Sequence, residues 1–174
     1  MQPDVRGWNM AMSTAASYGH VDILRLLCLE QNSNPGAFHN RAVRYALAHL
    51  QLEAAAFLIA DCRVCPDDDG GDVTRNLLCT VVECDAPRTS DEKAALVKAL
   101  LARGADPNRH NHEALRRALE RQCHPVLDVL IRCPRTLMTR CEFYAVLAAI
   151  PQTDAYRETI REMMQSPRFR DNFV

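Results

Sequence analysis

Aromatic side chains are scarce in this 174-residue sequence: Phe, Trp and Tyr together supply 6%, with one tryptophan. Alanine is abundant instead, and small side chains let short helices approach one another closely. No apolar run nears the roughly 20 residues of a membrane-spanning helix, so no span is expected. The opening MQPDVRGWNM has neither a long apolar stretch nor a cleavage site, so no secretory leader is expected. Net charge is −1. Nucleic-acid binding asks for a basic total or aromatic platforms, and both are missing. Catalytic signatures are missing too: no phosphate-binding glycine loop, no G-x-S-x-G and no H-E-x-x-H. What remains is a 48% hydrophobic, weakly charged chain, which suits a folded protein.

The stretch LLARGADPN, residues 100–108, shows how one helix is expected to end. Residues 94–101 are rich in Ala, Leu and Lys, all good helix formers. Gly104 sits where the chain turns through positive φ. Pro107 then pushes Asp106 out of helical geometry. The ending recurs. SNPG follows DILRLLCLEQ, VCPD follows EAAAFLIADC, and ADPN follows AALVKALLARG, placing Pro35, Pro66 and Pro107 31 and 41 residues apart. Recurrence at this spacing marks a repeat array.

Each repeat reads as two short helices. In MAMSTAASYGHVDILRLLCL, Met12, Ala15 and Ala16 share one side of a first helix, Gly19 stops it, and a second helix over residues 21–29 turns Ile23, Leu24, Leu26 and Leu27 inward. Asp22 lies in the first turn of that helix, where negative charge is favourable. TAASYGHVDILRLL and LVKALLARGADPN resemble the ankyrin repeat, whose pattern runs T-P-L-H-x-A-A, G-H, I-V-x-L-L-L, G-A-D-V-N. VRYALAHLQLEAAAFLI and LRRALERQCHPVLDVLI align with it without gaps, while LLCTVVECDAPRTSDEKAALVKALL carries about eight extra residues, with Thr89 and Glu92 spaced as a capping box. Ser13, Arg44, Cys79 and Arg116 stand at the family's histidine position. Between Asn108 and Ala118 the chain is about three residues short of the pattern, so a full hairpin finger is not expected there.

The resemblance implies one all-α domain, an ankyrin-like helical repeat solenoid of four to five helix-turn-helix repeats with short finger loops or hairpins. Repeats would span residues 8–36, 37–67, 68–108 and 109–135. Residues 136–174 would form a C-terminal cap, where CEFYAVLAAI and TDAYRETIREMMQ keep the helix–Pro–helix rhythm at Pro151. Stacked repeats bury together what none buries alone. The implied function is non-enzymatic: a monomeric module, needing no cofactor, that binds a protein partner on its concave face as scaffold, adaptor or inhibitor. Degenerate, cysteine-rich repeats would also suit a fast-diverging factor aimed at a host. In the family pattern the residues after the paired alanines face that side. Here they are Ser17 and Tyr18, Ala48 and His49, Glu83 and Cys84, and Glu120 and Arg121, with Asn9, Asn40, Arg75 and His112 at neighbouring finger positions. Tyr18 and Arg121 are residue types enriched at interface hot spots, and His49 would make binding pH-sensitive. None of the strip is expected to serve the core.

Eight cysteines without an export signal read as reduced thiols of a cytoplasmic or nuclear protein. Cys28, Cys79 and Cys123 fall in or beside apolar helical patterns. The alternative function is a zinc-stabilised regulatory domain using Cys62, Cys65, Cys79 and Cys84, two pairs of a kind that suits tetrahedral zinc; against it, the second pair lies in helical sequence. PDDDGGDV, residues 66–73, reads as a solvated loop, since its acids are consecutive and no Glu closes a calcium site. Residues 61–92 hold nine acids and residues 103–140 eight arginines. That asymmetry would either steer a partner or be consumed in pairs between adjacent repeats. The terminal SPRFRDNFV reads either as a docking peptide or as cover for the last repeat's apolar edge.

Overall fold

The structure, a computed structural model, describes residues 5–29, 33–84 and 90–137, with Cys141, Tyr144 and Ala148, which are helical. The described residues form eight α-helices and no strand. These are α1 (Val5–Ser17), α2 (Val21–Leu29), α3 (Ala37–Ala48), α4 (Leu52–Ala60), α5 (Leu77–Glu83), α6 (Ser90–Ala102), α7 (Arg109–Glu120) and α8 (His124–Arg132). A 3₁₀ turn, Val73–Arg75, precedes α5. No described helix is long and apolar enough to cross a membrane. Residues 85–89, and with them Thr89 of the expected capping box, lie outside the described residues, as do most of the expected C-terminal helix pair and the terminal tail.

The helices pack as two layers. α1, α3, α5 and α7 lie each against the next; α2, α4, α6 and α8 do likewise; and α1 with α2, α3 with α4, α5 with α6, and α7 with α8 are paired across the layers. Small residues permit this spacing. Ala16, Ala46, Ala55 and Ala118 are fully buried in one continuous core with Met12, Leu47, Leu58, Leu100 and Leu127. Gly19 and Gly104 do turn through positive φ, at +73° and +101°. Leu50 and Gln122 occupy the turns after α3 and α7 at +60° and +51°, a geometry costing a non-glycine residue about 1–2 kcal/mol.

The second helices share a register. Leu24 and Leu27 match Ala55 and Leu58, Val97 and Leu100, and Leu127 and Leu130, all buried. The residue one before each set is buried in α4, α6 and α8 (Ala54, Leu96, Val126), yet Ile23 is 47% exposed and Leu26 65%. The expectation that both point inward is therefore corrected. α4, α6 and α8 each pack against a preceding second-layer helix, whereas no described helix precedes the α1–α2 pair.

Candidate interaction face and the joints that build it

Three arginines bind successive helix pairs, each reaching back to the end of the pair before it. The last carbonyls of a helix lack intrahelical donors, and here guanidinium groups supply them. After α4, Arg63 donates to the carbonyls of Cys28 (3.0 Å) and Ser33 (2.9 Å), with Asp61 holding its Nε at 3.0 Å. After α6, Arg103 donates to Ile59 (2.9 Å), Asp61 (2.7 Å) and Val64 (3.0 Å). After α8, Arg135 donates to Gly104 (3.0 Å) and to Leu101. The hydrogen bonds from Arg63 hold the Asp61 carboxyl below the usual carboxylate range, against the opposing effect of its burial.

The fingers entering α3 and α7 are left-handed turns in place of hairpins. Phe38, His39 and Asn40 have φ of 54°, 55° and 57°. His110, Asn111 and His112 have 52°, 57° and 60°. Asn and His tolerate this region better than most residues. Side chains from the neighbouring repeat secure each turn. His39 Nδ1 lies 2.7 Å from Asp68, and Asn40 donates to the carbonyls of Cys65 (2.7 Å) and Asp68 (3.3 Å). His110 Nε2 lies 2.8 Å from Asp69, which also accepts from Arg109 Nε (2.9 Å), Arg109 Nη2 (2.7 Å) and the Gly71 N–H (2.8 Å). Burial of the Asp69 carboxylate would raise its pKa, but these donors outweigh it and hold the carboxyl far below the ordinary range.

Two equivalent positions show how the finger meets the end of its own repeat. A Cβ on Gly36 would come within 2.3 Å of the Arg63 carbonyl oxygen, so only glycine fits there. The corresponding Asn108 donates its side-chain amide to the Arg135 carbonyl at 2.8 Å and accepts from the Leu137 N–H at 2.7 Å.

Residues 66–73 are thus not simply a solvated loop. Asp69 is fully buried, Asp68 is paired with His39, and Asp67 accepts the Asp106 N–H through both oxygens at 3.1 Å. Two ion pairs link the acidic stretch to the arginine-rich one: Asp69 with Arg109, and Glu83 with Arg117, which also meets Glu113 at 2.8 Å.

Among the expected contact residues, Tyr18 (69% exposed), Ala48, His49, Glu120 and Arg121 lie exposed at the ends of the first-layer helices. Ser17 is half-buried and donates to the Thr14 carbonyl at 2.8 Å, and Glu83 is half-buried in its pair with Arg117. Arg75 is half-buried, 3.3 Å from Asp72. Cys84 is buried, its Sγ donating to the Leu47 carbonyl at 3.2 Å. Asn9 and Asn40 correct the expectation that the strip serves no structural purpose. Both are buried; Asn9 Oδ1 accepts the Asn34 N–H at 2.9 Å, and Asn40 ties its turn to the Cys65 and Asp68 carbonyls. His112 is half-buried as the last residue of its left-handed turn.

The four cysteines of the zinc alternative do not gather. Cys62 and Cys65 are exposed in the loop after α4, Cys79 and Cys84 are buried on and after α5, and the described residues contain no group of three or more His, Cys, Asp or Glu placed to hold a metal. Burial pushes the Cys79 thiol up to about 12, so it behaves as a small apolar side chain. Cys123 is buried, as expected, and Cys28 is half-buried.

Local sequence did not single out Arg41 and Tyr45, and marked Arg44 only as standing at the family's histidine position; Tyr45 is exposed and the two arginines half-buried on the first-layer helix that ends beside His49. Arg41 stacks on the Tyr45 ring with its Cζ 4.8 Å from the centroid and donates to the Tyr45 hydroxyl at 2.8 Å. Comparison with known proteins supplies no relative: no family model, curated protein or solved structure matches the chain.

Proposed function

We propose that the chain is an ankyrin-like repeat module that binds a protein partner through the face formed by the finger turns and first-layer helices. Binding would be non-covalent, and the partner would be held or sterically blocked. The observation that carries the reading is the contrast between the joints and this face. Charged groups such as Asp69 and Glu83 are tied between helix pairs, while Tyr18, His49, Glu120 and Arg121 are exposed at the ends of α1, α3 and α7, outside the core. Tyr and Arg are the residue types that most often dominate binding energy at such faces. The side-by-side order of both helix layers supports the repeat assignment, since stacked repeats of this kind present a continuous first-helix surface.

Photo-crosslinking tests the reading. A photoreactive residue is placed at Tyr18 or His49, or at Ala99 on the second-helix layer, and the protein is exposed to cell extract. The reading expects one protein to crosslink from Tyr18 and His49 and not from Ala99. Crosslinking confined to Ala99 would contradict it.

A further inference from the structure

The arginines on this part of the protein differ in what they meet. Arg109 is paired with Asp69, Arg116 with Glu113, and Arg117 with Glu113 and Glu83. Arg41 and Arg44, one turn apart on α3, have no carboxylate within ion-pair distance among the described residues. Arg41 meets Tyr45 and, at 3.6 Å, the Met10 sulfur; Arg44 donates its Nε to the His39 carbonyl at 3.1 Å. Arg75 lies on the 3₁₀ turn that packs against α3. Its Nε is 3.3 Å from Asp72, whose Oδ1 is already engaged by the Thr74 N–H at 3.0 Å and hydroxyl at 2.7 Å.

We propose that Arg41, Arg44 and Arg75 form a subsite for the carboxylates of an acidic segment in the protein partner. The proposal rests on the protein-binding reading of the same face and specifies its chemistry. Of the three guanidiniums only Arg75 meets a carboxylate, Asp72, which leaves a local surplus of positive charge in a chain whose total is −1. The crowding is visible at Arg44, whose pKa is lowered by partial burial and then by repulsion from Arg75, with a smaller push from Arg41. An incoming carboxylate relieves that repulsion, and the guanidinium fork matches it in bidentate geometry. Met10, 49% exposed beside Arg41, offers an adaptable apolar contact next to the charges. A protein segment fits better than nucleic acid. The Tyr45 ring already carries the Arg41 guanidinium, so it is no free platform for a base, and stacking platforms are what single-stranded nucleic acids require.

Fluorescence anisotropy with short labelled probes tests this. The probes are a peptide alternating Glu and Leu, its Gln–Leu and Lys–Leu counterparts, and an oligothymidine. The Glu peptide is expected to bind at least about tenfold more tightly than the Gln peptide, a difference of about 1.4 kcal/mol, and to weaken as salt rises. The advantage should vanish in Arg44→Gln/Arg75→Gln. It should also shrink in Arg75→Gln alone, a milder change retained in case the double variant melts early. Equal binding of Glu and Gln peptides, an unchanged advantage in Arg75→Gln, or oligothymidine binding as tightly as the Glu peptide would each overturn the proposal. If the Glu peptide fails while a partner still crosslinks from Tyr18 and His49, the acidic preference falls and the interaction face stands. If both fail, the protein-binding reading falls with it.

Discussion

Replacing Asp69 by Asn removes one charge from the joint between the loop before α5 and the turn that enters α7, and keeps its shape. The amide oxygen can still accept the Gly71 N–H, but Arg109 and His110 lose their anionic partner. A hydrogen bond to a charged group contributes about 1.5–3 kcal/mol, and breaking a deeply buried pair costs about 3–5 kcal/mol. Asp69 is covered, but Arg109 is 36% exposed, so water takes back part of that loss. The expected cost at neutral pH is therefore about 2 kcal/mol. Its pH dependence has a fixed sign. The folded-state carboxyl sits below its unfolded value, so its contribution is complete above the ordinary carboxylate pKa of about 4. It declines as pH falls below that value toward the folded one, by roughly 1.4 kcal/mol per pH unit. Urea unfolding followed by circular dichroism at pH 7 and pH 3 should thus show a gap between wild type and Asp69→Asn that narrows in acid. A cost under about 0.5 kcal/mol at pH 7, typical of an ordinary surface substitution, or a gap unchanged in acid, would refute the account of this joint.

Leu100→Ala should cost about 2–5 kcal/mol in the same urea assay, because Leu100 is fully buried and its loss leaves a cavity. Arg103→Ala removes donors from three carbonyls of the preceding repeat and should cost about 2 kcal/mol, with hydrogen exchange accelerated most at the end of α4. Cys62→Ser and Cys65→Ser should each change stability by less than about 0.5 kcal/mol. In thiol labelling of the native protein, the exposed Cys62, Cys65 and Cys141 should react first and Cys79 last, matching their exposure and the raised Cys79 pKa.

The helices were readable because their signals are local. Leu and Ala at helical spacing mark α2, α4 and α6, and Gly19 and Gly104 end helices as glycines at positive φ do. The exposure of Ile23 and Leu26 was not readable. Their sequence pattern matches that of the later repeats, and only the absence of a described helix pair over that face sets them apart. The finger turns had an overlooked signal. FHN and HNH place five His or Asn residues among the six that adopt left-handed geometry, and these are residue types that tolerate it. The acidic run read as solvent-facing because the partners of Asp69 lie 40 and 41 residues away. Distance in sequence likewise hid the arginine cluster, since Arg75 comes near Arg44 only when the 3₁₀ turn packs on α3.

Once crosslinking has identified a partner, titrating it against the triple variant Tyr18→Ala, His49→Ala and Arg121→Glu tests the central claim most directly. All three side chains are exposed, so the variant should melt at the wild-type temperature. The account predicts a dissociation constant raised by at least about tenfold, or about 1.4 kcal/mol. Unchanged affinity in a variant that melts like wild type would contradict it.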